Sequence, residues 1–157
     1  MPRFFSDFML VCLLLILVIS GLLITHMLKR RESMVTLKIG NTQLTVEPAR
    51  TEAQIERGLG YRDKVSGDGM LFYLPQPAVA TFWMKGMRFP LDFIWINVNT
   101  VTDITENVPP PVSANIPDDK MPLYRPNGIV TQVLEVPAGF VKAHNIQKGD
   151  SVTLLSH

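Results

Sequence analysis

Between Phe82 and Ile96 the chain holds both of its tryptophans, with three charged residues, Lys85, Arg88 and Asp92, set among large apolar side chains. A charge this close to a core must be paired or must reach water, because burying it alone is costly. A turn over Gly86–Pro90 breaks the stretch and another over Asn97–Thr100 follows it, so that Leu91–Asn97 reads as a strand. Short apolar runs of this kind, bounded by Gly, Pro and Asn, recur along the chain and restrict it to a β-rich fold.

Val35–Ile39 alternates apolar and polar residues, Gly40-Asn41 makes a turn, and Gln43–Glu47 returns; this predicts a β-hairpin. Thr51-Glu52-Ala53-Gln54 matches a capping box and predicts a helix over 52–59, with Ile55 and Leu59 on its buried face and Gly60 closing it. Met70–Leu74 reads as a strand stopped by Pro75 and Pro77, and Val79–Met84 as the next. Val101–Asn107 follows, with Val101, Asp103 and Thr105 expected on one side. Six prolines mark 108–127 as a long irregular stretch, of a kind used as a lid, a docking surface or a crossing over one end of a fold. Ile129–Val136 predicts a strand, Ala138–His144 a short helix and Ser151–Leu155 the last strand. The sum is mainly β: a compact β-sandwich or partly open barrel of about seven to eight short strands with two short helices.

Ahead of this lies Phe8–Ile24, a 17-residue apolar run broken only by Ser20 and Gly21, and extended slightly by Leu28. That is the short end of what spans a bilayer. The expected organisation is one N-terminal transmembrane helix and basic link over 1–34, then a β-rich domain over 35–157. A cleaved signal peptide competes, but no small-x-small site follows the run. Lys29, Arg30 and Arg31 after the run place the domain in the cytoplasm if the positive-inside rule is read literally. Cys12 is the only cysteine and lies inside the run, so the domain has neither a disulfide nor a cysteine-based zinc site. Val11 before it argues against lipoprotein acylation; a lipid-facing thiol is the plainer reading. The net charge of +1 comes without a basic stripe, which excludes nucleic acid as an expected partner.

Arg57-Gly58-Leu59 with Arg62, Gly69-Met70-Leu71-Phe72, Phe82-Trp83-Met84-Lys85, Pro90-Leu91-Asp92, Leu134–Gly139 and Gly149-Asp150 follow one another in one order. This series resembles the family called domain of unknown function 192, over roughly residues 43–155. The resemblance implies a compact β-rich domain, often behind a signal peptide or membrane anchor and therefore often outside the cytoplasm, contrary to the vote of residues 29–31. It implies no established activity and no catalytic residues. Where that family usually has Asn-Thr after the Trp-Met-Lys triplet, this chain has Gly86-Met87.

Four places offer chemistry. Arg57, Arg62, Lys85, Asp92 and Glu135, with Trp83 as an apolar wall, would make a site for a small anionic or amphipathic ligand if they converge. The same residues would equally serve as a structural ion-pair network. Met84 and Met87 flank a turn and offer soft thioether sulfur for Cu(I), though methionine more commonly fills gaps in a core. Asp92 with Lys85, or with Asp103 or Glu106, would supply acid–base chemistry. No nucleophile elbow, phosphate loop or zinc-protease helix is present, and His26, His144 and His157 sit at a membrane flank, a helix end and the terminus. The Pro-rich stretch, with Tyr124 and Arg125, is the fourth. The reading is therefore a membrane-anchored module rather than an enzyme, with no cofactor expected. Its expected partners are the lipid bilayer, through residues 8–28, and a small ligand or an envelope protein.

Overall fold

A computed structural model describes residues 3–32, 34–113 and 116–156, and the side chains of these except 3–8, 10–11, 26–32 and 156. His157, and the side chains of His26 and of the basic residues 29–31, lie outside the described residues, as do Ala114 and Asn115 of the Pro-rich stretch. The chain separates into two units, Met1–Ser33 and Met34–His157.

The first unit is one helix, α1 (Arg3–Glu32). Leu13–Ile19 are seven consecutive apolar residues, about two helical turns, so every face of the helix there is apolar. All seven are exposed. Among the described residues, no helix is long and apolar enough to cross a membrane.

The second unit begins with the expected hairpin, β1 (Val35–Ile39) and β2 (Thr42–Ala49), paired antiparallel. Leu37, Ile39, Leu44 and Val46 are buried while Lys38, Gln43 and Thr45 are exposed, the alternation of a sheet wet on one face. Helix α2 (Glu52–Arg57) carries both arms of the capping box: Gln54 N–H donates to Thr51 Oγ1, and the Gln54 side chain accepts from Thr51 N–H. It ends at Gly58, two residues short of the expected closure at Gly60. Strand β3 (Gly69–Ala78) then pairs parallel to β2. It runs past Pro75 and Pro77, because its pairing with the later strand skips from Tyr73 to Ala78. The prolines fall in that unpaired bulge, where their missing N–H costs no ladder bond.

Strand β4 is only Phe82–Trp83, shorter than the expected Val79–Met84. Strands β5 (Leu91–Asn97) and β6 (Thr100–Val108) form a hairpin. A bulge in it shifts the register between Trp95 and Ile96, so Val101 aligns with Ile96 but Asp103 with Trp95. Val101 and Asp103 therefore stand on opposite faces, where uniform alternation had put them together. The Pro-rich stretch contains a short 3-10 turn at Asp118–Lys120 and strand β7 (Leu123–Tyr124), which pairs with β4. Strand β8 (Val130–Pro137), helix α3 (Phe140–Ala143) and strand β9 (Val152–Ser156) complete the unit.

Seven strands form one sheet in the order β6-β5-β8-β3-β2-β1-β9. Its two edges meet at one end, through the Thr100–Ser151 bridge and hydrogen bonds from Val101 N–H to Asp150 O and from Val152 N–H to Asn99 O. The sheet is thus a curled half-barrel, and of the two expected architectures it is the partly open barrel, not the sandwich. One cluster, with Leu37, Leu44, Leu71, Ile94, Ile96, Leu134 and Val136, fills its concave side. A second, with Leu59, Phe72, Met84, Met87, Phe93, Trp95 and Val133, covers the other face. β3, β5 and β8 are therefore buried on both faces, which is why Phe93-Ile94-Trp95-Ile96 is continuously apolar.

A cleft on the outer face

Cross-strand register decides which side chains share a face. Met70, Glu135 and Phe93 lie in one row across β3, β8 and β5, and Phe72, Val133 and Trp95 in another. Both rows face the outer cluster. There Phe82 is the aromatic hub, edge-on to Phe72 and Trp95 with ring centroids 5.2 and 5.7 Å apart. Between this hub and α2 lies a cleft of about 290 Å³. Ile55, Leu59, Phe72, Phe82, Trp83 and Met87 supply its apolar wall, and Glu135 lies within it.

Glu135 is 5 % exposed. Among the described residues its carboxyl makes no hydrogen bond or ion pair, yet none of their buried side-chain oxygens is sealed away unpartnered. The carboxyl therefore opens onto the cleft. Burial without a compensating partner pushes its pKa up to about 8, so it is largely neutral at pH 7. Gly69 holds this row in place. A Cβ there would stand 2.1 Å from Glu135 O, so only glycine lets β3 approach β8 so closely.

At the rim, Arg57 projects from the last turn of α2 and is exposed. Lys85 lies 5.1 Å from the centre of the Trp83 ring and donates to Asp118 Oδ2 at 2.7 Å. That hydrogen bond raises the Lys85 pKa. It also brings the Pro-rich segment to the rim, where Arg125 Nε donates to Thr81 Oγ1 and β7 pairs with β4. Gly86 has φ +70°, and a Cβ on it would fall 2.9 Å from the Tyr61 ring, while Tyr61 N–H donates to Gly86 O. Asn, usual at this place in the family resembled, is also among the residues that adopt positive φ.

Four of the six predicted site residues, Arg57, Trp83, Lys85 and Glu135, thus line one cleft. Arg62 does not line it. Its guanidinium forks onto Glu47 at 2.6 and 3.0 Å, tying the segment after α2 to β2, and this hydrogen bonding raises its pKa.

Asp92 is on the other side of the sheet. It aligns with Val136 of the concave cluster, is fully buried, and accepts Asn107 N–H at 2.8 Å and Val141 N–H at 3.1 Å. Asn107 sits at positive φ where β6 shifts register, and Val141 is in the first turn of α3. Asp92 is accordingly a clamp between β5, a bulge and a helix start. The carboxylate pair considered with Asp103 does not form, because Asp103 aligns with Trp95 on the opposite face. Burial opposes ionisation of Asp103, but Lys148 and the N–H groups of Asn127 and Ile104 outweigh it and hold its pKa low. Asp92 and Lys85 likewise share no site. Met84 and Met87 are buried in the outer cluster.

The sequence reading missed Ile55, Leu59, Phe72 and Met87 as cleft residues. Ile55 and Leu59 were expected on one buried face of a helix; Leu59 instead lies past the end of α2, and an apolar pair at that spacing reads the same for a packed core as for a cleft wall.

The chain resembles two solved structures. One, from Sinorhizobium meliloti 1021 and described as a candidate transcription regulator, is 28 % identical, with a TM-score of 0.69 over 78 % of this chain and 95 % of that one. The other, a protein of unknown function from Novosphingobium aromaticivorans DSM 12444, is 29 % identical, with a TM-score of 0.65 over 76 % and 84 %. No curated protein matches the chain. The family model DUF192, Uncharacterized ACR, matches residues 21–154, and the chain belongs to that family.

Proposed function

We propose that the β-rich unit is a binding module that takes a small amphipathic ligand in the outer-face cleft. The observation that carries this is Glu135, a buried carboxyl with no partner among the described residues, opening into a cavity walled by Phe72, Phe82 and Trp83. A structural ion-pair network would have satisfied this group, as backbone N–H groups satisfy Asp92. The volume is near the lower end for ligand pockets, about 300 Å³ upward, which favours a small molecule. We further propose that α1 attaches the module to a bilayer through residues 8–28, because exposed apolar side chains on every face of a helix need cover. On that reading the protein is a single-pass membrane protein, its domain outside the cytoplasm as the family resemblance implies.

The test is a native mass spectrum of the full chain, purified gently from detergent. The expected result is an organic-sized mass excess that vanishes on denaturation and in Thr81→Trp, which would fill the cleft. A bare mass, with no response of Trp83 emission to added small amphiphiles, overturns the binding reading. Carbonate extraction that strips the chain from membranes overturns the anchor, and a reporter fused after His157 decides its sidedness.

A further inference from the structure

We infer, resting on the binding reading, that the cleft selects an organic ammonium ion, its charge on Glu135 and its apolar body between Phe72, Phe82 and Trp83.

Ionisable groups lie deep in the cleft at Glu135 and shallow at Glu56, Arg57 and Lys85. The cleft also presents two cations, Arg57 and Lys85, and one further acid, Glu56. Arg57 and Lys85 are exposed, and Lys85 already holds Asp118. Exposed pairing is screened by water and selects weakly. Glu135 is the buried ionisable group of the cleft, and among the described residues it has no counter-ion. An anion entering the cavity would meet that carboxyl and find no buried cation. An ammonium would supply the missing partner, in surroundings where a charge-assisted hydrogen bond is strongest. The aromatic walls attract a cation as well as apolar carbon.

Binding has a proton balance. The carboxyl proton leaves Glu135 for solvent as the ammonium docks, so the complex pairs RNH₃⁺ with a carboxylate. Below about pH 8 the free carboxyl is mostly protonated. Affinity therefore rises with pH, approaching tenfold per unit at the acid end, until Glu135 is ionised in the free protein. Titratable groups near Glu135 are Glu56 and Arg57 on α2 and Lys85 after β4, with Asp118 and Tyr61 beside Lys85. Its row neighbours on β3 and β5, Met70 and Phe93, are apolar.

The experiment is calorimetric titration of the full chain in detergent with phenethylamine and with 3-phenylpropionate, a similarly shaped anion, at pH 6 and pH 8. The amine is expected to bind more tightly than the anion, at least tenfold more tightly at pH 8 than at pH 6, and with proton release. Glu135→Gln is expected to abolish this preference. Equal or tighter binding of the anion, or amine binding without pH dependence in the wild type, overturns the inference even if the variant fails to fold. Binding of the anion alone leaves the cleft reading standing and the ammonium inference failed. Binding of neither ligand overturns both.

Discussion

Asp92 and Glu135 stand one step apart in the sheet, since Asp92 aligns with Val136 and Phe93 with Glu135. Both are buried carboxyl groups on central strands. Asp92 turns to the concave face and finds two backbone N–H groups left free by a bulge and a helix start. Glu135 turns to the outer face and finds a cavity. The pleat, which sends successive side chains to opposite sides, separates a structural acid from an available one. Burial alone is therefore a poor guide to function; the informative quantity is whether the buried group is satisfied.

The largest effect should come from breaking the row that holds Glu135. Gly69→Ala places a methyl 2.1 Å from the Glu135 carbonyl oxygen and must part β3 from β8. A loss above about 4 kcal/mol is expected, read as failure to give a cooperative thermal transition. A folded, cooperative Gly69→Ala protein would contradict the close approach. Asp92→Ala removes two charge-assisted hydrogen bonds and strands two N–H groups, for about 3 to 5 kcal/mol by denaturant titration. A loss below about 1 kcal/mol would deny it the role of a clamp.

The pH dependence sharpens the contrast. The Glu135 pKa rises from an ordinary 4.5 in the unfolded chain to about 8 in the folded one. Between those values the folded state binds the extra proton, so stability is fullest at acid pH, falls as pH rises, and levels off above about pH 8. The difference between wild type and Glu135→Gln across pH 5 to 8 should be on the order of 3 kcal/mol. Parallel stability curves for the two proteins would show that Glu135 is solvated or paired.

The smallest effect concerns the cleft rim. Gly86→Ala should cost about 1 to 2 kcal/mol through its positive φ, the exposed Tyr61 ring swinging aside. Gly86→Asn should cost less, since Asn adopts that conformation more readily. An equal loss for both would mean that Tyr61 contact, not backbone conformation, keeps glycine there.

Much of this fold was legible because its signals are local. The Thr51–Gln54 capping box and the strand Leu91–Asn97 need only neighbours in sequence. The faces of β6 were not legible, because the bulge that separates Val101 from Asp103 arises in pairing with β5. Four site residues were recognisable as charged or aromatic groups inside motifs. That Asp92 would leave the group, and that Arg62 would be taken by Glu47, depended on strand pairing.

The strand-rich pattern, the hairpin, the capped helix and the family could be read from the chain alone, since these depend on periodicity, turn residues and the order of motifs. The curling of one sheet into a half-barrel, the burial of three strands on both faces and the opposite fates of two neighbouring carboxyls emerged with the folded chain. The reason is register: a one-residue step along a strand changes the face, and which step aligns with which is set by partners far away in the chain.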